Sequence, residues 1–219
     1  QPLFNILKRR YVDTCGIDLS ISSTVEVSGK VDFINICIPY SDSFVNIVKE
    51  YQNTFNPEVI IIHSTVPIGT TSKISENAVH SPILGKHDDM EMSLTRFTKW
   101  IGGGINSIKA KTYFEGAGMT CKTVEKSEVT ESLKLMCLAK YGMSIAFAQY
   151  QKNICDAYYF SYDYVTEWDV EYNKYVASDL KRPILYPPGN RIGGHCVLPN
   201  TAILNEQHPN QIFDEILRY

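Results

Sequence analysis

Four β-branched residues in succession, Val59 to Ile62 within EVIIIHSTVP, narrow most sharply what this chain can fold into. A strand with one wet face alternates apolar and polar side chains. An unbroken run needs hydrocarbon on both faces, as in a parallel sheet covered by helices on each side. The neighbouring segments agree. VDFINICIPY (31–40) reads as another apolar strand, and SDSFVNIVKEYQNTF (41–55) as an amphipathic helix opened by a Ser or Asp cap. Leu3, Ile6 and Leu7, followed by a basic cluster, read as the tail of a helix. YVDTCGIDLS predicts a short strand ending in Asp18, and AVHSPI and FTKWIGG predict two weaker ones. The expected architecture is a doubly wound, mostly parallel Rossmann-like α/β sheet.

After Cys121 the pattern changes. Residues 127–160 contain no proline and one glycine, with apolar residues all round, and predict one long, heavily buried helix that reaches another domain or a second subunit. A second helix is expected over about Tyr164 to Ser178. KRPILYPPGNRIGGHCVLPN follows, with four prolines and three glycines that force an irregular loop, and a short helix around Gln211 to Arg218 closes the chain. The division expected is a dinucleotide-binding domain over 1–122, lacking the first strand and glycine turn of such a domain, and a helical domain with a cysteine loop over 123–219.

A net charge of −3, from 21 basic and 24 acidic residues well mixed along the chain, argues against nucleic acid or an anionic membrane surface as partner. No apolar run approaches the roughly 20 residues that cross a bilayer, and the start carries no signal-peptide pattern, so the sequence reads as cytoplasmic. The six cysteines form no CxxC pair, which suits thiols in a reducing compartment. Five of them read as small core residues; Cys196, in polar and glycine-rich surroundings, does not. No spacing of His and Cys suggests a metal site.

Four constellations could carry chemistry. An acidic side chain at a strand end, as at Asp18, accepts hydrogen bonds from an adenosine ribose in dinucleotide-binding folds, but a solvated aspartate is the plain alternative. In HSTVPIGTTSKI, Ser64 and Thr65 fall at the carboxyl edge of the sheet, where open α/β folds bind ligands, or else cap the next turn. Glu131 and Lys134 lie one turn apart on the long helix and would ordinarily form an ion pair. A lysine on an apolar helix, however, needs partners or a task. In RIGGHCVLPN, Gly193 and Gly194 let the backbone approach a ligand and present Cys196 as a nucleophile, with His195 on the substrate side or structural.

STVPIGTT, SPILGKH with a WIGG strand, ExxKL on a long helix and RIGGHC in a late loop occur here in one order. In this order and spacing the chain resembles the UDP-glucose/GDP-mannose dehydrogenase family, the nucleotide-sugar 6-dehydrogenases, as a partial-length member. The resemblance implies a nicotinamide-dependent enzyme, with NAD as cofactor and NADP not excluded, that oxidises a sugar primary alcohol to the acid through a cysteine thiohemiacetal. It implies Cys196, Lys134 and Thr65 as catalytic residues and Asp18, Pro39, Ser64 and Thr65 on the cofactor side. Gly193, Gly194, His195 and Asn200 would face a nucleotide sugar or a smaller sugar. It also implies a homodimer built on residues 127–160. The chain departs from the family pattern at Ile83, Leu138 and Asn200, where the family has Glu, Asn and Asp. Two alternatives follow: a non-catalytic homologue serving as a binding or assembly module, and a hydroxyacid dehydrogenase of the 6-phosphogluconate type.

Overall fold

A computed structural model describes residues 2–11, 13–18, 30–85 and 87–219. All four residues of strand β2 (Val59–Ile62) are buried, as their unbroken β-branching requires. Val59 and Ile61 enter one core with helix α1 (Pro2–Arg10), helix α3 (Met90–Arg96) and Phe114 of helix α4 (Asn106–Gly116). Ile60 and Ile62 enter the other with Phe44 and Val48 of helix α2 (Phe44–Phe55). Strand β1 (Phe33–Ile36), β2 and strand β3 (Ala78–His80) pair in parallel, in the order of the chain. Strand β4 (Lys99–Gly102) turns antiparallel to β3, and strand β5 (Cys121–Val124) runs parallel to β4. The five-stranded, mostly parallel sheet flanked by helices is a Rossmann-like α/β fold.

Three local expectations are corrected. Between Tyr11 and Asp18 the described residues form a turn and irregular chain, with a single bridge residue at Asp18, because Gly16 and the mixed polar sequence interrupt any strand; residues 19 and 20 lie outside the described residues. Helix α2 has Ser43 at its N-cap, but the Ser43 side chain makes no capping bond; the Ser41 carbonyl accepts from Phe44 N instead. Of the cysteines read as core residues only Cys155 is buried. Cys121 is half-buried, and Cys15, Cys37 and Cys137 are exposed.

The chain divides into two compact units, residues 1–134 and 135–219, so the division falls inside helix α5 (Ser127–Ala157). In the first unit α5 contributes Thr130 and Glu131, both fully buried. In the second unit Leu135, Ala139, Gly142, Ala146, Ala148 and Cys155 are its buried positions. The helix has the expected length but not the expected burial: Met136, Met143, Phe147, Tyr150 and Ile154 are exposed. Ala148 and Cys155 pack with Tyr162, just ahead of helix α6 (Asp163–Lys174). A Cβ at Gly142 would stand 2.6 Å from Val197 and 2.8 Å from Ile216, so the missing side chain is what lets helix α7 (Val197–Gln207) and helix α8 (Gln211–Leu217) reach α5. Asn210 caps α8 by accepting from Ile212 N at 3.0 Å. No helix among the described residues is long and apolar enough to cross a membrane.

A lysine lies inside the sheet domain. Lys99 opens β4 at 4% exposure, with Nζ 3.3 Å from both the Ser81 carbonyl and His63 Nδ1 and 4.8 Å from the Phe114 ring centre. None of these partners is an acid. Burial pushes its amine down to about 8, against the opposing pull of the Cys37 and Cys121 thiols. Between pH 8 and the ordinary lysine value of 10.5 the unfolded chain therefore holds the proton that the folded one has lost, and stability rises with pH across that window. Below pH 8 the burial cost is carried in full. Lys99→Met should raise stability at pH 7 by about 1–3 kcal/mol and flatten the rise between pH 8 and 10, measured by urea unfolding across pH; a loss of stability contradicts this reading.

Candidate active site

Parallel strands β1, β2 and β3 all deliver their chain to one edge of the sheet, where the loops beyond them can turn polar side chains outward. After β1 come Pro39 and Tyr40, both exposed. After β2 come His63, Ser64 and Thr65. The Ser64 hydroxyl donates to the Ile38 carbonyl at 2.5 Å and so ties the first loop to the second. Thr65, the next residue, is half-exposed. Asp18 is exposed.

Two buried histidines support this edge. His63 has Nδ1 2.7 Å from the Ser81 carbonyl and Nε2 2.9 Å from Asn35 Oδ1, and burial, followed by the Lys99 charge, pushes it well below the ordinary histidine range. His80 ends β3 with no exposed surface, and burial pushes it down to about 4. It is therefore neutral at physiological pH and carries one proton. Its Nε2 lies 3.2 Å from the Ser64 carbonyl, which can only accept, so the proton sits there. Nδ1 then accepts from the Thr130 hydroxyl at 2.8 Å.

Helix α5 begins beside this edge and brings Glu131 and Lys134, one turn apart. The expected ion pair along the helix is not what engages the carboxylate. Its Oε2 accepts from Gly69 N at 2.6 Å, while Oε1 accepts from Thr71 N at 2.9 Å and from the Thr71 hydroxyl at 2.6 Å. Glu131 faces the turn after the Thr65 loop, which explains the difference. Burial pushes its carboxyl above the ordinary carboxylate range, opposed by those three donors. Lys134 is half-buried and donates from Nζ to the Ile83 carbonyl at 2.9 Å, which brings its amine to the loop beyond β3. Ile83 itself turns its side chain into the core shared with β2 and α4.

In the second unit, the residues from Lys181 to Gly193 are irregular, as expected, but a helix begins at once after the GGHC bend. Cys196 is the N-cap residue of α7, half-buried and not in a disulfide, and the Cys196 carbonyl accepts from Asn200 N at 3.3 Å. Asn200 thus belongs to the first turn of α7 rather than to a loop. Gly194 takes φ of +85°, the left-handed conformation that glycine adopts without strain, and so turns the chain into the helix. Gly193 and His195 are exposed. Ile192, just ahead, is buried and its N–H donates to the Tyr219 carbonyl, fixing the bend to the end of the chain. A helix start favours negative charge through its orphan N–H groups and dipole.

Sequence reading missed α7, the role of Glu131 and the buried pair His63 and Lys99. For Glu131 the signal was present in GTTS, a glycine turn with hydroxyls, but nothing local says which acid it meets. Among the described residues no group of three or more His, Cys, Asp or Glu side chains could hold a metal ion.

No protein-family profile and no curated protein sequence matches the chain. Solved structures do. A UDP-D-ManNAc dehydrogenase from Pyrococcus horikoshii superposes with a TM-score of 0.73 at 19% identity, covering 85% of this chain and 49% of that one. A UDP-glucose dehydrogenase from Pyrobaculum islandicum gives 0.65 at 15% identity, covering 85% and 49%. The 3-hydroxyisobutyrate dehydrogenase of Mycobacterium tuberculosis gives 0.60 at 9% identity, covering 85% and 72%. The chain spans about half the length of the nucleotide-sugar dehydrogenases it matches, and over that span it has their fold.

Proposed function

We propose that the chain is the catalytic portion of a nicotinamide-dependent oxidoreductase that oxidises a primary alcohol of a nucleotide sugar, or of a smaller sugar, with Cys196 as the covalent nucleophile. The observation that carries this reading is the placement of Cys196 at the N-cap of α7, behind a glycine bend that leaves Gly193 and His195 open to solvent. The shared fold with nucleotide-sugar dehydrogenases and the ordered motifs of the sequence support it.

The half-exposed Thr65 and the exposed Pro39 and Tyr40, at the carboxyl edge of a parallel sheet, fit a dinucleotide better than a metal, because their donors are hydroxyl and backbone groups. NAD, or NADP, would be held there with Asp18 toward its ribose, and when bound it supplies the acceptor for hydride. Thr65 orients the reacting end. The Cys196 thiolate adds to the aldehyde carbon formed in the first oxidation; the carbon–sulfur bond replaces the carbonyl π bond, whose electron pair stays on oxygen and takes a proton to give a thiohemiacetal. Loss of a second hydride and that proton leaves a thioester, which water cleaves to the acid and the free thiol. By the family resemblance Lys134 is the residue proposed to stabilise oxyanions, and Asn200, with Gly193, Gly194 and His195, to recognise the sugar. Ile83, Leu138 and Asn200 bring no carboxylate to activate that water, so hydrolysis is the slow step.

A second reading has an observation of its own, the fold shared with a 3-hydroxyisobutyrate dehydrogenase. In an enzyme of that class one hydride leaves per substrate and no cysteine is needed; a non-catalytic homologue would release none.

The exposed residues Met136, Lys140, Met143, Phe147, Tyr150 and Ile154 of α5 recur at alternating spacings of four and three, the seam of a coiled coil. This face is proposed to carry a homodimer.

Two outcomes are expected. With NAD and a set of nucleotide sugars, the wild-type chain forms two NADH per acid; Cys196→Ala forms no acid, and Lys134→Met lowers kcat about 10²–10³-fold. One NADH per substrate with full activity in Cys196→Ala supports the hydroxyacid class instead. In sedimentation, Phe147→Glu combined with Tyr150→Glu should convert a dimer to a monomer without changing helical content; an unchanged dimer places the interface elsewhere.

A further inference from the structure

Each end of the Thr65 loop is held by one of two adjacent residues of α5. Thr130 donates to His80, which donates to the Ser64 carbonyl at 3.2 Å. Glu131 receives Gly69 N and both donors of Thr71. Thr65 sits between these two attachments, and Lys134 follows one turn further along the helix with its amine on the Ile83 carbonyl. Gly69 has φ of +85° with open space where a Cβ would stand, so glycine serves there to aim an N–H at the carboxylate, not to relieve crowding.

The geometry points to Glu131 as a positioning residue: its carboxylate locks the 69–71 turn onto α5 and thereby sets where Thr65 stands relative to the Lys134 amine. This rests on the proposed reading of Thr65 and Lys134 as parts of one reacting edge. Neither carboxylate oxygen is replaceable by an amide. A glutamine would turn an NH2 group toward Gly69 N or toward the Thr71 donors, setting donor against donor beside Thr71 and at position 131, neither of which has exposed surface. An aliphatic side chain would leave the two backbone N–H groups without a partner. Burial also raises the carboxyl above its ordinary range, so the ionised form is held there at a cost, as is common for groups with a functional task.

The test combines hydrogen exchange with kinetics on the full chain for Glu131→Gln, Thr71→Val and Thr71→Ser. Amides of residues 68–71 should exchange about 10-fold faster in Glu131→Gln and in Thr71→Val, while Ile60 to Ile62 keep their protection. In both variants kcat should fall about 10- to 100-fold, with KM for NAD changed by less than about threefold, and Thr71→Ser, which keeps the hydroxyl, should recover both readouts. Unchanged exchange in the loop overturns the clasp. Faster exchange with unaltered kcat overturns the positioning role and leaves Glu131 a structural residue. Should the wild-type chain oxidise no alcohol with NAD, the functional reading fails, and the exchange measurement alone decides whether Glu131 holds the loop. Thr71→Val serves where Glu131→Gln does not fold.

Discussion

Burying both faces of a parallel sheet leaves one place where the strands can present polar chemistry, the edge at which they end. Val59 to Ile62 fill two cores at once, so β2 offers nothing to a ligand until His63, Ser64 and Thr65. The same holds for β1 and β3, whose loops hold Pro39 and Ile83. Everything proposed for the first unit follows from this restriction. A polar group placed along the strands is buried and must be satisfied internally, as Lys99 and His80 are. One placed past the strand ends can turn outward.

Helix α5 exploits that edge. Its first turns carry polar residues facing the loops: Thr130 to His80, Glu131 to the 69–71 turn, Lys134 to Ile83. Further along, the buried positions become small, and Gly142 lets α7 and α8 approach. A single helix thus fastens the loops at the carboxyl edge of the sheet in one unit and packs against the helix that follows Cys196 in the other. Its exposed apolar seam is a third use of the same element, at positions neither unit covers.

Much of this was legible in the sequence, for physical reasons that differ by element. Strand β2 is an unbroken β-branched run, β1 lies in a mostly apolar segment, and α5 has no proline, so period and composition are enough. Strand β5, CKTV, is four residues with a lysine in the middle, and its place is set by pairing with β4 rather than by its own pattern. Helix α4 was hidden by the glycines before it and its weak amphipathic pattern. Helix α7 was hidden by Pro199, which reads as a breaker, yet in the first turn a proline removes only an N–H that has no helical partner. The motif residues Thr65, Lys134 and Cys196 can be named from the sequence, but their surroundings cannot. The Glu131 carboxylate meets a turn sixty residues away, a pairing that depends on how the chain closes and not on local spacing.

The central claim is that Cys196 forms a covalent bond to the substrate carbon, and because Ile83 supplies no carboxylate to drive hydrolysis, the acyl form should accumulate. The most direct measurement is the mass of acid-quenched protein after incubation with NAD and a nucleotide sugar. The account predicts an added mass equal to the sugar-nucleotide acid less one water, mapped to the peptide containing Cys196 and lost on treatment with hydroxylamine. Turnover with no adduct on that peptide, or an adduct mapped to another residue, would contradict it.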